Sequence, residues 1–135
     1  MAGVSAAAPD RRVIAVEPEG STAVHDALEA GKPVPVTPVS IADGLSGPFA
    51  GDHALATIQA HGVESVLVSE EEIEEAFRFL YERAKLAAEP GAAAGVGALL
   101  AGKVPDVDGK TVAVVVSGGN VAGKTAAAIL SSNED

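Results

Sequence analysis

Three short runs of small and β-branched apolar residues govern what this chain can fold into: residues 13–16 (Val-Ile-Ala-Val), 63–68 (Val-Glu-Ser-Val-Leu-Val) and 111–116 (Thr-Val-Ala-Val-Val-Val). Each is strand length, and none alternates cleanly enough for a sheet with one wet face, so they read as strands covered on both sides. Helix-like segments fill the intervals, and that alternation predicts an α/β fold with a mainly parallel sheet. Three strands make a small parallel sheet. Residues 1–135 are therefore expected to form a single, incomplete domain: part of a three-layer α/β/α unit with about three of its strands present.

The clearest helix starts after Ser69. Ser69 and Glu72 have the spacing of a capping box, with Glu70 and Glu71 at the positive helix end. Ile73, Ala76, Phe77, Leu80 and Ala84 then recur at helical spacing as one apolar face. The acidic run 70–75 reads as a capped, solvated helix start. A second helix is expected over residues 90–101, with Pro90 in its first turn and Gly102 as its stop. Gly91, Gly95 and Gly97 lie inside it, which is costly unless another element packs directly on its backbone. Residues 31–51 carry Pro33, Pro35, Pro38 and Pro48 among several glycines and predict an ordered connector.

Composition narrows the function. The formal charge of −10 argues against nucleic acid or an anionic membrane as partner, since both require a basic footprint. The absence of cysteine removes disulfides, thiolate metal sites and a cysteine nucleophile. No apolar run approaches membrane-spanning length, and no basic-then-apolar leader opens the sequence, so a cytoplasmic location is expected. The apolar fraction, 47%, is ordinary, but it is mostly Ala and Val, with Phe49, Phe77, Phe79 and Tyr81 as the aromatics. Such a core packs closely yet buries little area per side chain. His25, His53 and His61 show no metal-ligand spacing.

The third apolar run leads straight into Ser117-Gly118-Gly119-Asn120, and that junction admits two chemistries. Gly118-Gly119-Asn120-Val121-Ala122-Gly123-Lys124-Thr125 satisfies G-x-x-x-x-G-K-[ST], whose backbone N–H groups and lysine cradle phosphates in nucleotide-binding loops. No strand-ending Asp stands ready for the magnesium ion, because the first two runs end beside Glu17 and Ser69. Read the other way, the strand end presents one serine hydroxyl, followed by a glycine turn, to a flat heterocycle.

Four segments in order favour the second chemistry. They are Val13-Ile14-Ala15-Val16-Glu17-Pro18-Glu19-Gly20, Ser40-Ile41-Ala42-Asp43-Gly44-Leu45, Lys85-Leu86-Ala87-Ala88-Glu89-Pro90-Gly91-Ala92-Ala93 and Val116-Ser117-Gly118-Gly119-Asn120. Together they resemble the C-terminal half of fold-type II pyridoxal-phosphate enzymes, specifically threonine/serine dehydratases (ammonia-lyases) and serine racemase. The resemblance implies a fragment of the tryptophan-synthase-β-like large domain and pyridoxal 5'-phosphate as the parent enzyme's cofactor. It also implies a parent reaction in which a β-hydroxy amino acid becomes a 2-oxo acid and ammonia.

The same resemblance implies roles. Ser117 would hydrogen-bond the cofactor's pyridine nitrogen, with Gly118, Gly119 and Asn120 forming the turn beneath the ring. Glu89 would lie close to the ring, or serve as a helix cap before Pro90. Asp43 and Gly44 would line the pocket wall, or simply make a tight turn. Some relatives hold a divalent cation through the glutamate of V-E-P and an acidic residue six positions on; Glu17 matches, but Ala23 stands at the second position and cannot be a ligand.

The family's Schiff-base lysine in an S-F-K-x-R-G-like context, its tetraglycine phosphate loop and its S-x-G-N-H-like substrate segment do not occur in these residues. Lys32, Lys85, Lys103, Lys110 and Lys124 lie in other contexts. No catalytic residue is thus assigned within the chain. The expected state is an inactive fragment with weak cofactor affinity, or a non-catalytic half that assembles with a separate N-terminal half or with itself. Nucleotide binding at the phosphate-loop pattern is the third alternative.

Overall fold

The computed structural model describes residues 1–132. Helix α1 (Ala2–Ala7) leads to strand β1 (Ile14–Pro18), helices α2 (Ala23–Ala30) and α3 (Asp52–Ala60), strand β2 (Glu64–Val68), and helices α4 (Glu70–Glu82), α5 (Pro90–Leu100) and α6 (Gly123–Ser131). The strands pair in parallel, Ile14 opposite Glu64 through Pro18 opposite Val68. Parallel pairing requires a crossover, supplied here by α2, the proline-rich connector with a 3₁₀ turn at Asp43–Leu45, and α3.

Alternate residues of β1 face opposite sides, as the pleat dictates. Val13 and Ala15 join Ala27, Leu55, Ile58 and Val63 in a core shared with α1, α2 and α3. Ile14 and Val16, with Val66 and Val68, face Ile73, Ala94 and Ala98 of α4 and α5. Helices thus cover both faces, which is why the strand segments are apolar in both registers. A third cluster lies behind α5, where Phe77 and Leu80 of α4 meet Ala92 and Ala93 of α5 and Ile129 of α6.

The capping box forms as expected. Ser69 Oγ accepts the Glu72 N–H (3.2 Å) and Glu72 Oε2 accepts the Ser69 N–H (2.7 Å). Pro90 occupies the first turn of α5. The glycines of α5 are there for close approach. A methyl on Gly97 would lie 2.9 Å from the Glu72 carbonyl oxygen, and one on Gly95 would lie 3.0 Å from Val114 Cγ1.

One expectation is corrected. Residues 111–116 form no strand among the described residues, and the sheet has two strands, not three. The run lies against α5 through Val114 and contributes Val116 to the α4–α5–α6 core. Among the described residues its backbone has no ladder partner, and β propensity alone makes no sheet. Val112 and Val115 remain exposed, at 46% and 70%. Among the described residues no helix is long and apolar enough to cross a membrane.

Candidate functional site

The site is assembled at the N-terminus of α5. Glu89 takes the N-cap position with extended backbone (φ −87°, ψ 161°), but its side chain caps nothing in its own helix. Instead it reaches the glycine turn 31 residues downstream. The Glu89 N–H donates to the Gly118 carbonyl (3.0 Å), and Glu89 Oε2 accepts the Asn120 N–H (3.0 Å). The turn closes on itself with the Val121 N–H donating to the Gly119 carbonyl (3.0 Å).

Glycine is required where these segments meet. A methyl on Gly118 would overlap the Glu89 carboxylate, and one on Gly119 would come within 3.0 Å of the Ala87 carbonyl oxygen. From the other side, a methyl on Gly44 would sit 3.1 Å from Glu89 Oε1, and Gly91 packs on Leu45 and the Gly44 Cα. Three of the four sequence segments therefore converge: Asp43-Gly44, Glu89 and Ser117–Asn120. Ser117 is exposed, and its hydroxyl makes no hydrogen bond among the described residues, so it is free for an incoming acceptor. A surface hollow of about 440 Å³ nearby is lined by Tyr81, Glu82, Lys85 and Ala87 and by none of these converging residues.

The 3₁₀ turn bearing Asp43 is held from two directions. Ser21 Oγ donates to the Leu45 carbonyl (2.8 Å), and the Ile41 N–H donates to Glu70 Oε2 (2.8 Å). Glu70 was not singled out by the sequence. It belongs to an acidic run in which Glu71 and Glu75 are indeed exposed, and nothing in the run marks the member that turns inward. Its position directly after the N-cap, where a carboxylate can fold back on a neighbouring loop, was the available signal.

Glu17 is occupied elsewhere. Its carboxylate is buried and accepts the N–H groups of Val24 and His25 (both 2.8 Å) at the start of α2. Among the described residues, no group of three or more His, Cys, Asp or Glu side chains is placed to hold a metal ion. Burial raises the Glu17 pKa above the ordinary 4.5, against the opposing pull of the two N–H donors. Glu17 therefore adds stability below that ordinary value and loses the contribution as pH rises through its raised folded value. In Glu17→Gln this dependence is expected to disappear: the wild-type advantage in denaturant unfolding grows as pH is lowered through that window. A difference that stays flat with pH would refute the assignment.

The phosphate-loop pattern is present as a strand-like run, a glycine turn and helix α6, which starts at Gly123. A carboxylate already takes the Asn120 N–H of that loop, and negative charge there opposes a nucleotide phosphate. Among the lysines, Lys103 is spent on Glu72 (2.7 Å) and Glu19 (3.4 Å).

Residues 1–118 match the family model described as pyridoxal-phosphate dependent enzyme. The chain is 39% identical over 125 residues to phenylserine dehydratase of Ralstonia pickettii, covering 89% of this chain and 38% of that protein. It is 41% identical over 124 residues to L-threonine ammonia-lyase of Geobacter sulfurreducens, covering 90% and 30%. Among solved structures, maize serine racemase superimposes with a TM-score of 0.82 at 31% identity, over 92% of this chain and 40% of that one. Serine racemase from Dictyostelium discoideum gives 0.76 at 32% identity, over 88% and 38%. The chain thus spans between 30% and 40% of the length of these relatives.

Proposed function

The chain belongs to the pyridoxal-phosphate dependent enzyme family, and from that membership we propose that residues 1–135 are the C-terminal part of the cofactor-binding large domain of a threonine/serine dehydratase-like enzyme. The observation that carries this reading is the convergence of Asp43-Gly44, Glu89 and Ser117–Asn120 on one glycine-lined spot with a free serine hydroxyl. These residues fit the ring of pyridoxal phosphate. Glycines let backbone approach a flat group closely, and a hydroxyl can pair with a neutral ring nitrogen.

When bound, the cofactor supplies an electron sink for the amino acid's α-carbon. Ser117 would hold the pyridine nitrogen by donating its hydroxyl proton, and so leave that nitrogen largely unprotonated. The sink is then milder than one with a carboxylate partner, which suits loss of a β-hydroxyl over wider carbanion chemistry. Glu89, Asp43 and Gly44 would border the ring. The parent reaction would convert a threonine- or serine-like substrate to a 2-oxo acid and ammonia.

Residues 1–135 include neither the lysine context that abstracts the α-proton nor the glycine loop that anchors the cofactor phosphate. On their own they are expected to form no 2-oxo acid from L-threonine or L-serine with added pyridoxal 5'-phosphate, and to bind that cofactor weakly. Ser117→Ala should weaken what binding there is by about tenfold, the worth of one hydrogen bond. A second reading is favoured by the two-stranded sheet and the exposed Val112 and Val115 of the unpaired run: a non-catalytic half that completes its sheet with a lysine-bearing N-terminal half. One assay covers both. Turnover only after mixing with such a half supports assembly; turnover by the pure chain overturns the reading.

A further inference from the structure

We propose that Glu89 is a positioning residue, whose carboxylate sets the 117–120 turn and thereby aims the Ser117 hydroxyl, and that it does not cap its own helix. The importance of Ser117 rests on the cofactor reading above; the clamp itself does not.

The geometry excludes the cap role first. Glu89 holds the N-cap position of α5, yet its side chain bonds no N–H of that helix. Glu is also a poor choice for a cap, where Asp, Asn and Ser lead because their short side chains reach the first turn. One methylene longer, Glu89 reaches across to the Asn120 N–H instead. Its own N–H holds the Gly118 carbonyl (3.0 Å). The turn is therefore gripped at two successive points, one on each side of Gly119, by main chain and side chain of the same residue.

The carboxylate is also held in place by its packing. It lies between Gly118 and Gly44, with no room for a methyl at the first and only 3.1 Å from one at the second. Its Oε2 is committed to Asn120. A group packed between two glycine backbones has a defined direction, and it passes that direction to the turn it holds. Ser117 immediately precedes the gripped Gly118, so its hydroxyl vector follows the turn. A two-point grip of this kind keeps the hydroxyl aimed before any ligand arrives, which lowers the ordering cost of binding.

The test uses the full chain, ¹⁵N-labelled, as wild type, Glu89→Gln, Glu89→Asp, Glu89→Ala and Gly118→Ala. Amide hydrogen exchange at Asn120 is read against Val66 and Val68 of β2, the alternate residues that face β1 in the parallel ladder and report global opening. Glu89→Ala and Glu89→Asp should speed Asn120 exchange by roughly tenfold or more, the loss of a charge-assisted bond, with the β2 amides unmoved. Glu89→Gln keeps an acceptor of the same reach and should restore protection to within a few fold. Gly118→Ala should copy Glu89→Ala, because its methyl evicts the carboxylate. A cap role predicts the reverse order, with Asp as good as Glu. Unchanged Asn120 exchange in Glu89→Ala, or a fully protected Asp variant, overturns the clamp.

Pyridoxal 5'-phosphate is then added. Shifts at Ser117 to Asn120 in wild type and Glu89→Gln, lost in Glu89→Ala and Glu89→Asp, support the positioning role. Shifts that persist unreduced in Glu89→Ala overturn it. No response in wild type, with the exchange pattern as predicted, overturns the cofactor reading while the clamp stands.

Discussion

Phe77→Ala is expected to lower the stability of this chain by about 3–5 kcal/mol, the cost of emptying a buried aromatic site. Phe77 is 2% exposed and is the largest fully buried side chain among the described residues. It stands where α4, α5 and α6 meet, surrounded by Ala76, Leu80, Ala88, Ala92, Ala93 and Ile129. Most of those neighbours are alanines, which have no side-chain length with which to fill a void. The cavity should therefore stay open and the cost fall toward the upper end. Since such domains hold only some 5–15 kcal/mol in total, the variant would approach the unfolding limit. The urea midpoint should fall with little change in slope, and a loss below about 1 kcal/mol would show that the three-helix core is not as placed.

That core matters to the site because it lies directly behind it. Ala88 and Ala92, close to Glu89 in sequence, are buried in the cluster, and Val116 and Val121 bracket the glycine turn and pack against the same cluster. The spot where the cofactor ring would sit is thus the surface of a hydrophobic unit, with Glu89 and Ser117 as its polar edge.

Much of this was legible in the sequence, and the parts that were not share a cause. Strands β1 and β2, the Ser69–Glu72 capping box and the Pro90 helix start are local patterns, and each formed. The run 111–116 carries the strongest strand signal of the three and pairs with nothing described, because a ladder needs a neighbour that no local pattern can supply. Glu89 admitted two sequence readings, ring neighbour or helix cap. Its bond to Asn120, 31 residues away, could not be found by periodicity. Glu70 was hidden for the same reason, since its partner Ile41 lies 29 residues upstream. Glu17, which matches one ligand position in some relatives, holds the first N–H groups of α2, a helix with no side-chain cap from Thr22. In each case the residue type and its chemistry could be foreseen, and only the partner was missing.

The glycines of α5 supply the second large effect. Gly97→Val should destabilise by about 3 kcal/mol, at the upper end of overpacking costs. The physical balance is clear at this position. Replacing helix-interior glycine with alanine ordinarily gains up to about 1 kcal/mol from backbone entropy and helix propensity. Here the first carbon added would sit 2.9 Å from the Glu72 carbonyl oxygen and 3.6 Å from Ala76 Cβ, so α5 must move off α4 before any gain is realised. Valine adds two methyls to that wedge and a restricted χ1 in a helix. The displaced element is the one whose first residue is Pro90 and whose N-cap is Glu89. A shift of α5 therefore pulls the Glu89 carboxylate from Gly118 and Asn120, and the Asn120 amide should lose protection along with the global fall in midpoint. Phe77→Ala should not do this at mild denaturant, because a cavity removes contacts without driving α5 outward. If Gly97→Val instead matched wild type in midpoint and in Asn120 exchange, the close α4–α5 approach would be wrong, and with it the placement of Glu89 against the glycine turn.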